Sequence, residues 1–112
     1  MSQNPDEVKE IDVQELKKWK DSGVDFDLVD VREPNEYDLT HIGGKLIPLG
    51  QVSARTGEIS KDRKVVIMCR SGKRSSNAIV ELQTNFGYTN LLNLKGGILA
   101  WSAEIDSNIP RY

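Results

Sequence analysis

The sequence predicts an α/β domain with a mainly parallel central sheet of about five strands and helices on both of its faces. Three observations lead there. Short apolar, β-branched runs alternate along the chain with stretches of helical periodicity. The clearest run, Lys64-Val65-Val66-Ile67-Met68, is apolar at nearly every position, as expected of a strand covered on both faces. A chain of 112 residues is most simply one domain, long enough to bury a core without disulfides or metals as staples.

Taken in order, residues 1–10 are polar and acidic and read as a flexible lead-in or linker stub, leaving 11–112 as the domain. Ile11 joins a short first strand. Asp12 and Glu15 have the spacing of a capping box, and Val13, Leu16, Trp19 and Lys20 then share one face of a helix ending near Gly23. Phe26 to Val31 is a buried strand that stops in charge at Arg32-Glu33. Pro34 suits the first turn of a short helix through Tyr37 and Asp38. Ile42-Gly43-Gly44 is a turn, and Leu46 to Leu49 is a further short strand. Residues 51–62 are polar and give no assignment. After the Lys64–Met68 run comes a turn, then a helix with Ala78, Ile79, Leu82 and Phe86 on its apolar side and Gly87 as its C′ residue. Leu91 to Leu94 is the last strand. Gly96-Gly97 turns into a final helix holding Ile98, Leu99, Trp101 and Ile105.

Composition excludes several classes. With 15 Lys and Arg against 17 Asp and Glu, a net charge of −2 gives no electrostatic case for nucleic acid. No apolar run approaches the roughly 18 to 20 residues of a membrane span, and the N-terminus lacks the pattern of a secretory signal. The expected location is the cytoplasm. One Cys and one His build neither an internal disulfide nor a structural zinc site.

The chemistry concentrates in Cys69-Arg70-Ser71-Gly72-Lys73-Arg74, placed where an open α/β sheet binds ligands, at the carboxyl end of a strand and the start of a helix. Helix N–H groups aimed at the sulfur and three cations within one turn both favour a negatively charged thiolate. Gly72 allows the positive φ that an anion-cradling turn often needs. An inert core Cys has no use for such neighbours. A Cys-His hydrolase needs a positioned base, and nothing places His41 beside Cys69. A cysteine phosphatase needs only a thiolate, a ring of N–H groups and an arginine. Those enzymes use C-x5-R, whereas Cys69 to Arg74 is C-x4-R, a smaller ring that suits one extra sulfur atom better than a tetrahedral phosphate.

Four separated motifs share this order and spacing: D-V-R-E-P-N-E-Y at 30–37, H-I-G-G-K-L-I-P-L at 41–49, V-V-I-M-C-R-S-G-K-R-S at 65–75 and L-K-G-G-I-L-A-W at 94–101. Through them, from about Ile11 to Tyr112, the chain resembles the rhodanese-like sulfurtransferase family. The closing G-G-I-L-A-W-S-A-E-I-D-S-N-I-P-R-Y is most similar to the C-terminal rhodanese domain of adenylyltransferase-sulfurtransferases that act on ubiquitin-like sulfur carriers. The turn after Ile42 departs from the family's usual H-I-x-G-A, with Lys45 directly after Gly43-Gly44.

The resemblance implies the rhodanese-like fold and a double displacement. Cys69 takes sulfane sulfur from a donor, thiosulfate or a protein persulfide, and holds it as a persulfide. A thiophilic acceptor then removes it, a ubiquitin-like sulfur carrier being one such partner. No metal and no organic cofactor is called for. Arg70 and Lys73 are candidates for binding an anionic donor, and Ser71, Gly72 and Arg74 complete the persulfide loop. Asp30 is expected to support the loop by accepting from its donors, with Arg32 holding its own turn. Two alternatives remain beside this reading: a phosphatase or arsenate-reductase-like enzyme on the same fold, and a docking module without catalysis.

Overall fold

Every strand of the fold is short, and all of them run parallel, so each return has to cross a face of the sheet. A computed structural model describes residues 4–112. Its elements follow in order: β1 (Glu10–Ile11), α1 (Val13–Ser22), β2 (Phe26–Asp30), α2 (Pro34–Leu39), β3 (Lys45–Leu46), β4 (Lys64–Met68), α3 (Lys73–Phe86), β5 (Leu91–Leu94) and α4 (Gly97–Glu104). The sheet order is β1-β5-β4-β2-β3.

Local chemistry explains the boundaries. Asp12 caps α1, its carboxylate accepting from the Glu15 N–H at 2.8 Å, and Gly23 closes the helix in the left-handed region. Glu33 and Glu36 form a reciprocal capping box around Pro34 at the start of α2. The strand expected at Leu46–Leu49 is shorter, Lys45–Leu46. Pro48 has no N–H for the ladder, and the chain passes into a 3-10 turn at Leu49–Gln51. A second such turn, Thr56–Glu58, occupies the segment that gave no assignment.

Alternation along the strands divides the core. Val65 and Ile67 face one side, with Ala78, Ile79 and Leu82 of α3. Val66 and Met68 face the other, with Leu16 of α1 and Ile98 and Trp101 of α4. Both sheet faces are therefore covered, which is why β4 carries no outward polar position after Lys64.

Residues 1–3 lie outside the described part, and the stretch after them is docked rather than a free lead-in. The Gln83 amide donates to the carbonyls of Pro5 and Glu7 at 2.8 and 2.9 Å, and Val8 packs against the α3 side of the core. Glu10 already belongs to β1, so the ordered domain begins before residue 11. No helix among the described residues is long and apolar enough to cross a membrane.

The sheet reverses its direction of growth between β2 and β4: β3 lies beyond one and β5 beyond the other. In open α/β sheets the carboxyl ends of the strands beside such a switch point are where ligands bind. Asp30 pairs with Met68 there, and the Val31 N–H donates to the Met68 carbonyl at 2.9 Å. The next residue on β4's side is Cys69.

Candidate active site

Cys69 leaves the end of β4 and its side chain is 1% exposed. Its Sγ lies 3.1 Å from the Gly72 N–H, 3.4 Å from the Ser75 N–H and 3.3 Å from the Ser75 hydroxyl. Ser75 is the third residue of α3, and this helix has no side-chain cap of the ordinary kind. The sulfur fills that place: it accepts from an N–H that the helix cannot satisfy internally. A sulfur held this way sits at the positive end of the helix dipole.

Gly72 makes the turn possible, with φ of +101°. A second helix start holds the loop from behind. The N–H groups of Ile98 and Leu99, in the first turn of α4, donate to the carbonyls of Cys69 and Arg70 at 3.0 and 3.1 Å. Those two carbonyls are thereby drawn toward α4. One helix start thus serves the sulfur and the other the loop's acceptors.

This second contact leaves no room for a side chain. A Cβ on Gly97, whose φ is +59°, would lie 2.4 Å from both the Cys69 and Arg70 carbonyl oxygens. Gly97→Ala is therefore expected to destabilise the fold by roughly 2–3 kcal/mol, from overpacking and left-handed strain together. Urea unfolding should read the loss, and a variant as stable as the parent would show that the loop yields there.

The loop cations differ in their surroundings. Lys73 and Ser71 are exposed, and Arg70 is half-buried. The Arg70 guanidinium donates to the Tyr112 carbonyl oxygen and lies 5.1 Å from the centre of the Tyr112 ring. Arg74 turns away from the loop carbonyls and forms a two-pronged pair with Glu36 of α2, at 2.6 and 2.8 Å.

Asp30 does not reach the loop's donors. Its carboxylate accepts from the backbone N–H and the guanidinium of Arg32, with the shortest contact at 2.7 Å, and both side chains are fully buried. A guanidinium without water needs its charge neutralised and its N–H groups occupied, and among the described residues Asp30 is the only carboxylate it bonds. Arg32 also donates to the carbonyls of Glu36 and Thr40, tying down the turn around α2 as expected, and to the Tyr112 hydroxyl at 2.9 Å. Burial pushes the Arg32 pKa down, but the bonds to Asp30 and Tyr112 outweigh it and leave the guanidinium more firmly protonated.

The Tyr112 hydroxyl in turn donates to Glu36 at 2.7 Å. A chain of contacts thus runs from Asp30 through Arg32, Tyr112 and Glu36 to Arg74. The hydrogen bonds from Arg74, the largest influence, hold the Glu36 carboxyl at about 2 against an ordinary 4.5. A depressed carboxyl stabilises the fold above its unfolded value, and that contribution is lost as pH falls from about 4.5 toward 2. Glu36→Gln is accordingly expected to melt lower than the parent at pH 7, with the gap closing over that window. A gap independent of pH would place its origin outside this ion pair.

Two residues of the site had no role assigned from sequence. Ser75 directly follows Arg74 and contacts the sulfur. Asn93, 3% exposed, is a polar residue inside the otherwise apolar Leu91–Leu94 strand, which was the available signal. Neither His41 nor the cavity beside Lys20 and Lys45 takes part. His41 stacks on Tyr37 and its Nδ1 accepts from the Gly43 N–H. The cavity, about 510 Å3, lies between Lys20, Phe26, Leu28 and Lys45 and does not include Cys69. A hollow without a nucleophile is a weaker candidate than a buried sulfur faced by two N–H groups and a hydroxyl. Among the described residues no group of three or more His, Cys, Asp or Glu could hold a metal ion.

With this geometry in place, comparison with known proteins gives a consistent picture. A family model described as Rhodanese-like domain matches residues 12–104. A protein named Sulfurtransferase from Allochromatium vinosum is 44% identical over 96 residues, covering 85% of this chain and 89% of that protein. MoeZ of Mycobacterium tuberculosis, a probable adenylyltransferase/sulfurtransferase, is 36% identical over 101 residues. The match takes in 88% of this chain but 26% of MoeZ, so the chain spans about a quarter of that relative. Among solved structures, a rhodanese-like domain protein from Staphylococcus aureus superposes with a TM-score of 0.77 at 28% identity, covering 84% of this chain and 91% of that one.

Proposed function

The chain belongs to the rhodanese-like domain family, with sulfurtransferases among its relatives, and we propose that it moves sulfane sulfur through a persulfide on Cys69. The observation that carries this reading is the sulfur itself: buried to 1%, yet met by two backbone N–H groups and a hydroxyl. Donors preorganised around a buried atom stabilise negative charge there without reorganising.

The steps balance without a cofactor. The Cys69 thiolate attacks the outer sulfur of thiosulfate, the S–S bond of the donor breaks, and sulfite leaves with the bonding pair. A persulfide anion remains on Cys69. An acceptor such as cyanide attacks the outer sulfur, and Cys69 departs as thiolate again. Arg70 and Lys73 are the cations we assign to the incoming anion, since the charges of Arg32 and Arg74 are already met by Asp30 and Glu36.

A sulfur only 1% exposed favours donors that present a single terminal sulfur, from thiosulfate or from a protein persulfide. The resemblance of residues 96–112 to adenylyltransferase-sulfurtransferases that act on ubiquitin-like sulfur carriers, together with the likeness to MoeZ, a probable adenylyltransferase/sulfurtransferase, extends the proposal to a sulfur-carrier protein as acceptor. The test is to incubate the protein with thiosulfate, weigh it for one added sulfur atom, and then follow thiocyanate on adding cyanide. Uptake and discharge of the sulfur support the reading. Cys69-dependent turnover of an aryl phosphate, with no sulfur taken up, overturns it in favour of a phosphatase. No uptake from thiosulfate or a persulfide donor leaves a docking module.

A further inference from the structure

Asn93 sits in the middle of β5, with its backbone paired to both neighbouring strands and its amide directed beneath the sulfur loop. Its Nδ2 donates to the Gly72 carbonyl at 3.0 Å, and its Oδ1 lies 2.5 Å from the Ser75 hydroxyl. Gly72 and Ser75 are the two residues whose groups meet the Cys69 sulfur. We propose that Asn93 is a positioning residue for sulfur transfer, fixing through one amide which atoms of the loop face Cys69. The inference rests on Cys69 being the sulfur-carrying residue.

Hydrogen-bond logic fixes the orientation. A carbonyl only accepts, so the amide nitrogen must face Gly72 and the amide oxygen must face Ser75. Ser75 then gives its single proton to Asn93 and turns its lone pairs toward Sγ, 3.3 Å away. In that state the hydroxyl accepts S–H from a thiol. It serves an anionic sulfur only by leaving Asn93. The steady donors to a sulfur anion are therefore the Gly72 and Ser75 N–H groups, and both belong to residues that Asn93 holds.

Replacing the amide by a carboxyl tests this with little change of shape. In Asn93→Asp the protonated group can still donate to the Gly72 carbonyl and accept from Ser75. Once ionised it sets an oxygen anion against that carbonyl and a negative charge one hydroxyl away from the sulfur. Rates of sulfur uptake from thiosulfate and of Cys69 alkylation by iodoacetamide would be measured from pH 5 to 9 as ratios to the parent. A buried carboxyl ionises within or near that range. The Asn93→Asp ratio should fall roughly 10- to 100-fold from low to high pH, while Asn93→Ala should stay lowered by one factor throughout. A ratio that is flat with pH, in protein that still unfolds cooperatively, overturns the role of Asn93.

Should Asn93→Asp unfold at high pH, Ser75 carries the test. Ser75→Ala is expected to slow uptake about 10-fold and Ser75→Thr to recover at least half of that loss, and equal rates for the two variants overturn the proposal. Alkylation needs no sulfur donor. Parent protein that alkylates at Cys69 but never takes up sulfur overturns the sulfur-transfer reading, whereas normal uptake with unchanged variant ratios overturns this one alone.

Discussion

Cys69→Ser is expected to take up no sulfur from thiosulfate and to lose thiocyanate formation by on the order of 10^3-fold or more, while remaining folded. The chemistry requires a sulfur at this position, because only a second sulfur forms the S–S bond that stores the cargo. A serine hydroxyl in the same place is a far weaker nucleophile at neutral pH and has no base beside it: the single histidine is bound into the Gly43 turn. Folding should survive. The serine oxygen still accepts from the Gly72 and Ser75 N–H groups, so the start of α3 keeps a cap. The melting temperature should therefore lie within a few degrees of the parent's, and mass spectrometry of donor-treated variant should show the unmodified mass. A variant that keeps either signal would remove Cys69 from the mechanism. Because the variant stays folded, the readout separates loss of chemistry from loss of structure.

What sequence alone conveyed divides along a physical line. Strands and helices whose signal is local were legible: the apolar run at β4, the Asp12 cap, Pro34 at the start of α2 and Gly87 at the end of α3. The position of Cys69 between a strand end and a helix start was equally legible, since it depends on neighbours in the chain. Side-chain partners across long separations were not. Asp30 was expected to serve the loop because both lie on one sheet edge, but Arg32, two residues away and fully buried, claims its carboxylate. Arg74 was placed in the persulfide loop by its neighbours in the chain, whereas its partner Glu36 comes from α2, 38 residues away. Tyr112 contacts Arg32 and Glu36 from the far end of the chain, a pairing that no periodicity announces. The Gly96-Gly97 turn was read as turn geometry, whereas its larger consequence is the close approach of α4 to the Cys69 and Arg70 carbonyls.

Asp30→Ala is expected to cost about 3–5 kcal/mol of folding stability, because it strands a guanidinium where there is no water to receive it. In a domain of this size that corresponds to a fall of roughly 15–25 °C in melting temperature. The remaining Arg32 partners are two carbonyls and a phenol, which occupy N–H groups but do not neutralise the charge. Asp30→Asn should lose less, since one amide oxygen still accepts. Replacing both members together, as Asp30→Leu with Arg32→Met, should recover most of the loss, because exchanging a buried ion pair for apolar side chains is often near neutral. The same variants distinguish two roles for Asp30. Among the described residues the bonds of its carboxylate all go to Arg32 and none to the Cys69 loop, so sulfur uptake per folded molecule, measured well below the melting point, should fall less than about tenfold. A large loss of uptake with little loss of stability would instead make Asp30 a direct support of the loop. The pair would then belong to the sulfur chemistry and not to the frame that carries it.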